Sequence, residues 1–125
     1  MQYLLLIYSD EKDAPNQDQA ALMADYGAFT QGIIQNGNFK SADRLRPVSD
    51  ATTVRVRNGK TLSTDGPFAE TREQLGGYYL IDAKDLDEAI GIAAKVPTAR
   101  HGSIEVRPIW TNTSSALAQA KAAVA

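Results

Sequence analysis

Residues 2–8 read Gln-Tyr-Leu-Leu-Leu-Ile-Tyr, and residues 78–81 read Tyr-Tyr-Leu-Ile. Both runs are too short for a helix, and both are apolar at odd and even positions alike. Successive side chains of a strand point to opposite faces of its sheet, so each run predicts a strand buried on both faces. What the rest of the chain can lay over those faces decides the fold.

The first run is followed by a polar, Pro-containing loop through Pro15. Asn16 with Gln19 three residues later matches a capping box, and Asp18 is a competing cap. The helix it opens runs to about Asn36, with Leu22, Tyr26, Phe29 and Ile33 on one stripe flanked by Met23, Thr30 and Ile34. Gly37 suits a left-handed stop. Residues 38–48 read as extended. Asn58-Gly59, between Thr52–Arg57 and Lys60–Thr64, is a strong hairpin signal, because a type I′ turn needs positive φ at both central residues. Alternation puts Val54 and Val56 on one face with Ser63 and Thr61, and Arg55 and Arg57 on the other with Leu62 and Lys60. That predicts a half-solvated hairpin. Asp85 as N-cap with Glu88 at N3 opens a second helix, carrying Leu86, Ala89, Ile90, Ala93 and Ala94 inward and stopping at Val96-Pro97. Ser103–Trp110 is the last strand, with Ile104, Val106 and Trp110 alternating with Glu105 and Arg107.

The order is β-α-β-hairpin-β-α-β, which predicts an α+β ferredoxin-like sandwich with an antiparallel sheet and an inserted β-hairpin. Two helices cover one face of such a sheet. The second apolar face therefore needs another partner, and the simplest is the same face of a second copy. The expectation is a homodimer by sheet-to-sheet packing, a dimeric α+β barrel, with a cavity where the sheets splay. The domain is expected to span residues 1–110. Residues 111–125 form an Ala- and Ser-rich C-terminal tail that can carry a short helix after a Ser cap.

Composition narrows the chemistry. The chain has 125 residues, 43% hydrophobic and 22% charged, as expected of one folded domain. It has no cysteine, which excludes a disulfide scaffold, a thiolate nucleophile and a sulfur-built zinc site. His101 is the single histidine, so no multi-histidine metal site can form in one chain, and neither metal nor cofactor is expected. Thirteen basic against fifteen acidic residues, a net charge of −2, argue against nucleic acid as a partner. The opening apolar run is far short of the roughly 20 residues a membrane helix needs, and it lacks the basic flank of a signal peptide. No membrane association is expected, and the expected location is cytoplasmic.

The densest group of unusual residues is Thr-Asp-Gly-Pro-Phe-Ala-Glu-Thr-Arg-Glu-Gln-Leu-Gly-Gly-Tyr-Tyr at 64–79. Asp65 opens a Gly-Pro turn, where a carboxylate either braces the backbone or stands at a cavity mouth as an acid/base group, with Glu70 and Arg72 nearby. Arg44 and Arg72 are candidate anion clamps, and Tyr3 and Tyr78 candidate positioners of a bound small organic molecule. Arg44, Arg46, Arg55, Arg57 and Lys60 form a basic group around the hairpin, whose simplest role is to blunt a sheet edge. His101, in a loop, reads first as a solvated residue; its other reading is a general acid/base at the cavity edge, with a carboxylate to orient the ring. Gly76-Gly77 is not a phosphate-binding G-x-G-x-x-G, and no P-loop or G-x-S-x-G occurs.

Met1–Tyr8, residues 51–90 and residues 102–110, with Asp65-Gly66-Pro67-Phe68 at their centre, together resemble the YCII-related proteins of the DGPF type. The resemblance covers about residues 1–110. It implies a dimeric ferredoxin-like α/β-barrel fold, bacterial origin and frequent gene neighbourhood with extracytoplasmic-function sigma factors, with a biochemical role largely unassigned. The wider superfamily holds muconolactone-isomerase-like enzymes, haem-dependent dye peroxidases and antibiotic-biosynthesis monooxygenases. The YCII branch itself includes a chlorinated-hydroquinone dehydrochlorinase, for which a histidine–aspartate pair is proposed. Residues 16–48 contain no histidine, so that pair does not carry over, and His101 lies elsewhere. Asp65 is the motif carboxylate that matches. Two readings follow. One is a small-molecule enzyme of isomerase- or lyase-like acid–base chemistry in the inter-sheet cavity. The other is a non-catalytic ligand-binding or regulatory dimer tied to a sigma-factor circuit.

Overall fold

In a computed structural model of the chain, residues 1–111 and 120–123 are described. Residues 120–123 are helical; the rest of the tail, where the Ser-capped helix was expected, lies outside the described residues. The elements follow the expected order: β1 (Gln2–Ser9), α1 (Gln19–Gln35), β2 (Phe39–Arg44), β3 (Thr52–Arg57), β4 (Lys60–Asp65), β5 (Gln74–Asp82), α2 (Leu86–Ala93) and β6 (Ser103–Pro108). Four strands form one sheet in the order β2-β5-β1-β6, and every neighbouring pair is antiparallel. This is the ferredoxin-like arrangement, with β5 and β1 in the middle and β3-β4 as a separate two-stranded sheet.

Both helices lie on one face. Tyr3, Leu5 and Ile7 of β1 and Tyr79 and Ile81 of β5 are buried there against Ile33 of α1 and Ala89, Ile92 and Ala93 of α2. Tyr79 sits at the centre of this layer. Phe29 meets its ring edge-on at 5.2 Å, Tyr26 stacks parallel at 6.5 Å, and its hydroxyl is 2.6 Å from Thr30 Oγ1. Edge-to-face and offset pairs suit the aromatic quadrupole, and the bonded phenol leaves no unmet polar group in the core. Burial pushes the Tyr26 phenol up, partly offset by its 2.5 Å hydrogen bond to Thr98 Oγ1.

Local chemistry explains the element ends, and four expectations change. Asp18, not Asn16, caps α1, accepting from Ala21 N at 3.0 Å, because residues 11–16 are already wound into a 3₁₀ turn behind Asp10. At α2, Asp85 accepts from Glu88 N as expected, but the buried residues are Ala89, Ile92 and Ala93, and Leu86, Ile90 and Ala94 face solvent. The hairpin forms in the expected register, with Asn58 at φ 52° and Gly59 at φ 74°. It is exposed on both faces rather than one: Val54, Val56 and Leu62 all stand in solvent. Trp110 lies beyond the end of β6 and is exposed.

Candidate functional site

The helix-free face of the four-stranded sheet is built by the residues that alternate with the core. Cross-strand register sets them in rows. Asp43, Tyr78, Leu6 and Glu105 lie side by side across β2, β5, β1 and β6, and Ser41, Leu80, Leu4 and Arg107 form the row beside them. Leu4, Leu6, Tyr8, Tyr78 and Leu80 are half-buried, and among the described residues neither α1 nor α2 covers them. Neighbouring strands are about 4.8 Å apart, so Leu4, Leu6 and Leu80 make an apolar floor roughly 10 Å wide between polar edges.

The polar edges differ. On the β2 side the Tyr78 hydroxyl donates to Asp43 Oδ2 at 2.6 Å, a charge-assisted bond that pushes the phenol up and keeps it protonated. On the β6 side Arg107 is ion-paired with Glu105, which holds the guanidinium up. A carboxylate bonded to a phenol can move a proton, and the cation on the opposite edge, three strand spacings or about 14 Å away, faces the same apolar floor. Local sequence fixes this layout. Gly77 lets β2 approach β5 closely at this point, since a Cβ there would fall 2.9 Å from Asp43 O.

The residues expected from sequence fall in three places. Tyr78 is on the open face. Tyr3 is a correction: it alternates onto the helix side and is buried, its hydroxyl bonded to Met1 Sδ at 3.4 Å, so it cannot touch a molecule on the open face. Arg44 is exposed at the end of β2 and alternates away from Asp43. Asp65 ends β4 opposite Thr52, in the separate hairpin sheet, and it is exposed, as are Glu70 and Arg72. The bonds that close its turn run from Gly66 N to Ala51 O at 2.7 Å and from Thr53 Oγ1 to Gly66 O at 2.9 Å. Neither uses the Asp65 carboxylate. Gly66 takes the left-handed φ of 101° that the turn requires. His101 is exposed behind a 3₁₀ turn at Pro97–Arg100.

Asp43 and the Glu105–Arg107 pair were not anticipated. The available signal was positional: charged residues alternating with core residues on strands whose helix-free face had to be covered. Among the described residues no three His, Cys, Asp or Glu side chains converge as a metal site, and no helix is long and apolar enough to cross a membrane.

A family model of the YCII-related domain matches residues 1–113. The chain belongs to this family. A relative is the uncharacterized protein R00369 of Rhizobium meliloti (strain 1021), 40% identical over 114 residues that cover 87% of this chain and 92% of the relative. Among solved structures the YCII-related chain is similar in fold to 5-chloro-2-hydroxyhydroquinone dehydrochlorinase from Burkholderia phenoliruptrix AC1100, solved in complex with 2,5-dihydroxybenzoquinone. That match has a TM-score of 0.54 at 11% identity and covers 90% of this chain and 96% of the other.

Proposed function

We propose that this YCII-related chain is a homodimer packed through its open sheet faces, and that the space between the sheets binds a flat, oxygenated ring compound. Asp43 accepts a proton from a ring hydroxyl or an enolisable ring carbon, Tyr78 holds the carboxylate in place, and Arg107 faces the negative charge that remains on the ring oxygen. The observation that carries this reading is the 2.6 Å Tyr78–Asp43 bond at the margin of an apolar floor made of Leu4, Leu6 and Leu80. An apolar floor accepts a ring, and the polar groups at its margins fix the ring's orientation. The similarity in fold to a dehydrochlorinase that binds a hydroxyquinone supports the choice of substrate class. Asp65, Glu70 and Arg72 stand outside this reading, in the hairpin sheet and the loop after it.

The test uses 2,5-dihydroxybenzoquinone as the probe, with light scattering, calorimetry and NMR in deuterated water. The expected result is a mass of two chains, binding, and protein-dependent exchange of the ring hydrogens for deuterium. Asp43→Asn should abolish exchange and leave binding and mass in place. A monomer, or exchange that survives Asp43→Asn, overturns the proposal.

A further inference from the structure

Beneath the turn that carries Gly66, Pro67 and Phe68 is a half-open hollow of about 540 Å³, a volume typical of small-molecule sites. Its apolar wall comes from Tyr8, Leu45, Val48, Pro67, Phe68 and Leu75. Tyr8 and Leu75 are also cross-strand partners on the open face, so the hollow continues the apolar floor at its Tyr8 end. Several of the polar side chains around it are already engaged with the protein. Gln74 accepts from Glu11 N and donates to Thr71 O, Asp50 is paired with Arg46 at 2.9 Å, and Thr53 donates to Gly66 O. The surface that such a lining offers a guest is mostly apolar. Phe68 lines the hollow but is 79% exposed, and Leu45 is 42% exposed. Filling the hollow would take apolar surface of both out of water.

We infer that this hollow is a subsite for an apolar substituent of the ring bound on the open face, with Phe68 as its cover. The inference rests on the ring-binding reading and adds a specificity element to it. A ring over Leu6 and Tyr78 would direct an alkyl chain past Tyr8 and Leu75 toward Val48 and Phe68.

Calorimetry with 2,5-dihydroxybenzoquinone and its 3-hexyl derivative tests this. The hexyl compound should bind the wild-type chain at least tenfold more tightly. Phe68→Ala, an exposed position that leaves the fold intact, and Val48→Trp, which fills the hollow, should each bring that ratio toward one. Both should leave the Kd of the unsubstituted ring within about threefold. Hexanol with methyl NMR supplies an independent readout, with shifts expected at Leu45, Val48 and Leu75 that Val48→Trp removes. If neither ring compound binds but hexanol shifts those methyls, the open-face reading fails and the apolar hollow stands as a binding site. If the hexyl chain adds nothing to affinity, or hexanol leaves the methyls unmoved, the subsite is overturned. Dissociation of the dimer by Phe68→Ala also overturns it, because the hollow would then be filled by the second copy.

Discussion

Tyr3, Leu5 and Ile7 share one strand with Leu4, Leu6 and Tyr8, and the two sets are about equally apolar. The first set is buried under two helices; the second is half-buried on the face opposite α1 and α2. The covered face is closed by shape, with Tyr79 boxed by Phe29, Tyr26 and Phe39. The open face is organised by charge, with Asp43 at one edge and Glu105–Arg107 at the other. Burial pattern within a strand thus reflects what lies above each face more than hydropathy does.

Truncating adjacent residues gives the sharpest break of this comparison. Leu5 is 0% exposed, so Leu5→Ala removes its transfer energy and leaves a cavity, at a cost of about 3–4 kcal/mol in urea unfolding. Leu6→Ala, on the half-buried face, should cost about 1 kcal/mol at low protein concentration. If the open faces pair, the Leu6→Ala penalty grows with protein concentration and the Leu5→Ala difference does not. Equal, concentration-independent penalties would show that the two faces are not distinct.

Gly102 tests the support shared by both faces. A Cβ at this position would fall 2.2 Å from Tyr8 O, a backbone atom that cannot give way like a side chain. Gly102→Ala should push the start of β6 off β1 and cost roughly 1–3 kcal/mol. Because Tyr8 and Ser103 are partners there, the loss should also weaken ligand binding on the open face. Asp85→Ala, on the helix side and away from the open face, should cost about 1 kcal/mol through loss of the α2 cap and leave binding unchanged.

The fold was legible where local chemistry is strong. Asn58-Gly59 set the hairpin register residue for residue, Asp85 set the start of α2, and the doubly apolar runs marked the two central strands. The side of β1 that receives the helices was not legible, since an alternation apolar at every position is symmetric about its strand. That symmetry is why Tyr3 read as a ligand contact and lies in the core. The eight-residue α2 failed differently: with Ala at 89, 93 and 94 and Gly91 between them, two turns define the buried stripe weakly, and packing chose Ile92 over Ile90. The site was least legible, because Asp43 and Tyr78 are 35 residues apart and meet only through the β2-β5 register.

Two tyrosines bring the comparison down to single groups. Both phenols are held up, but Tyr26, on the covered side, is raised mainly by burial, and Tyr78, on the open face, mainly by its hydrogen bond to the Asp43 carboxylate. A phenol with a raised folded-state value binds its proton more tightly in the folded chain. Its contribution to stability is therefore complete below the ordinary tyrosine value and is lost as pH rises through the folded value. Carbon-13 NMR of labelled tyrosine should show both residues titrating above the ordinary range. Asp43→Asn should return Tyr78 toward that range and leave Tyr26 in place. Added salt should act in the same direction on Tyr78 more than on Tyr26, because screening weakens an exposed charge–phenol contact and does not rehydrate a buried ring. A Tyr78 titration indifferent to Asp43→Asn would remove the acid–base pair from the open face and leave its apolar floor with only the Glu105–Arg107 pair at its edge.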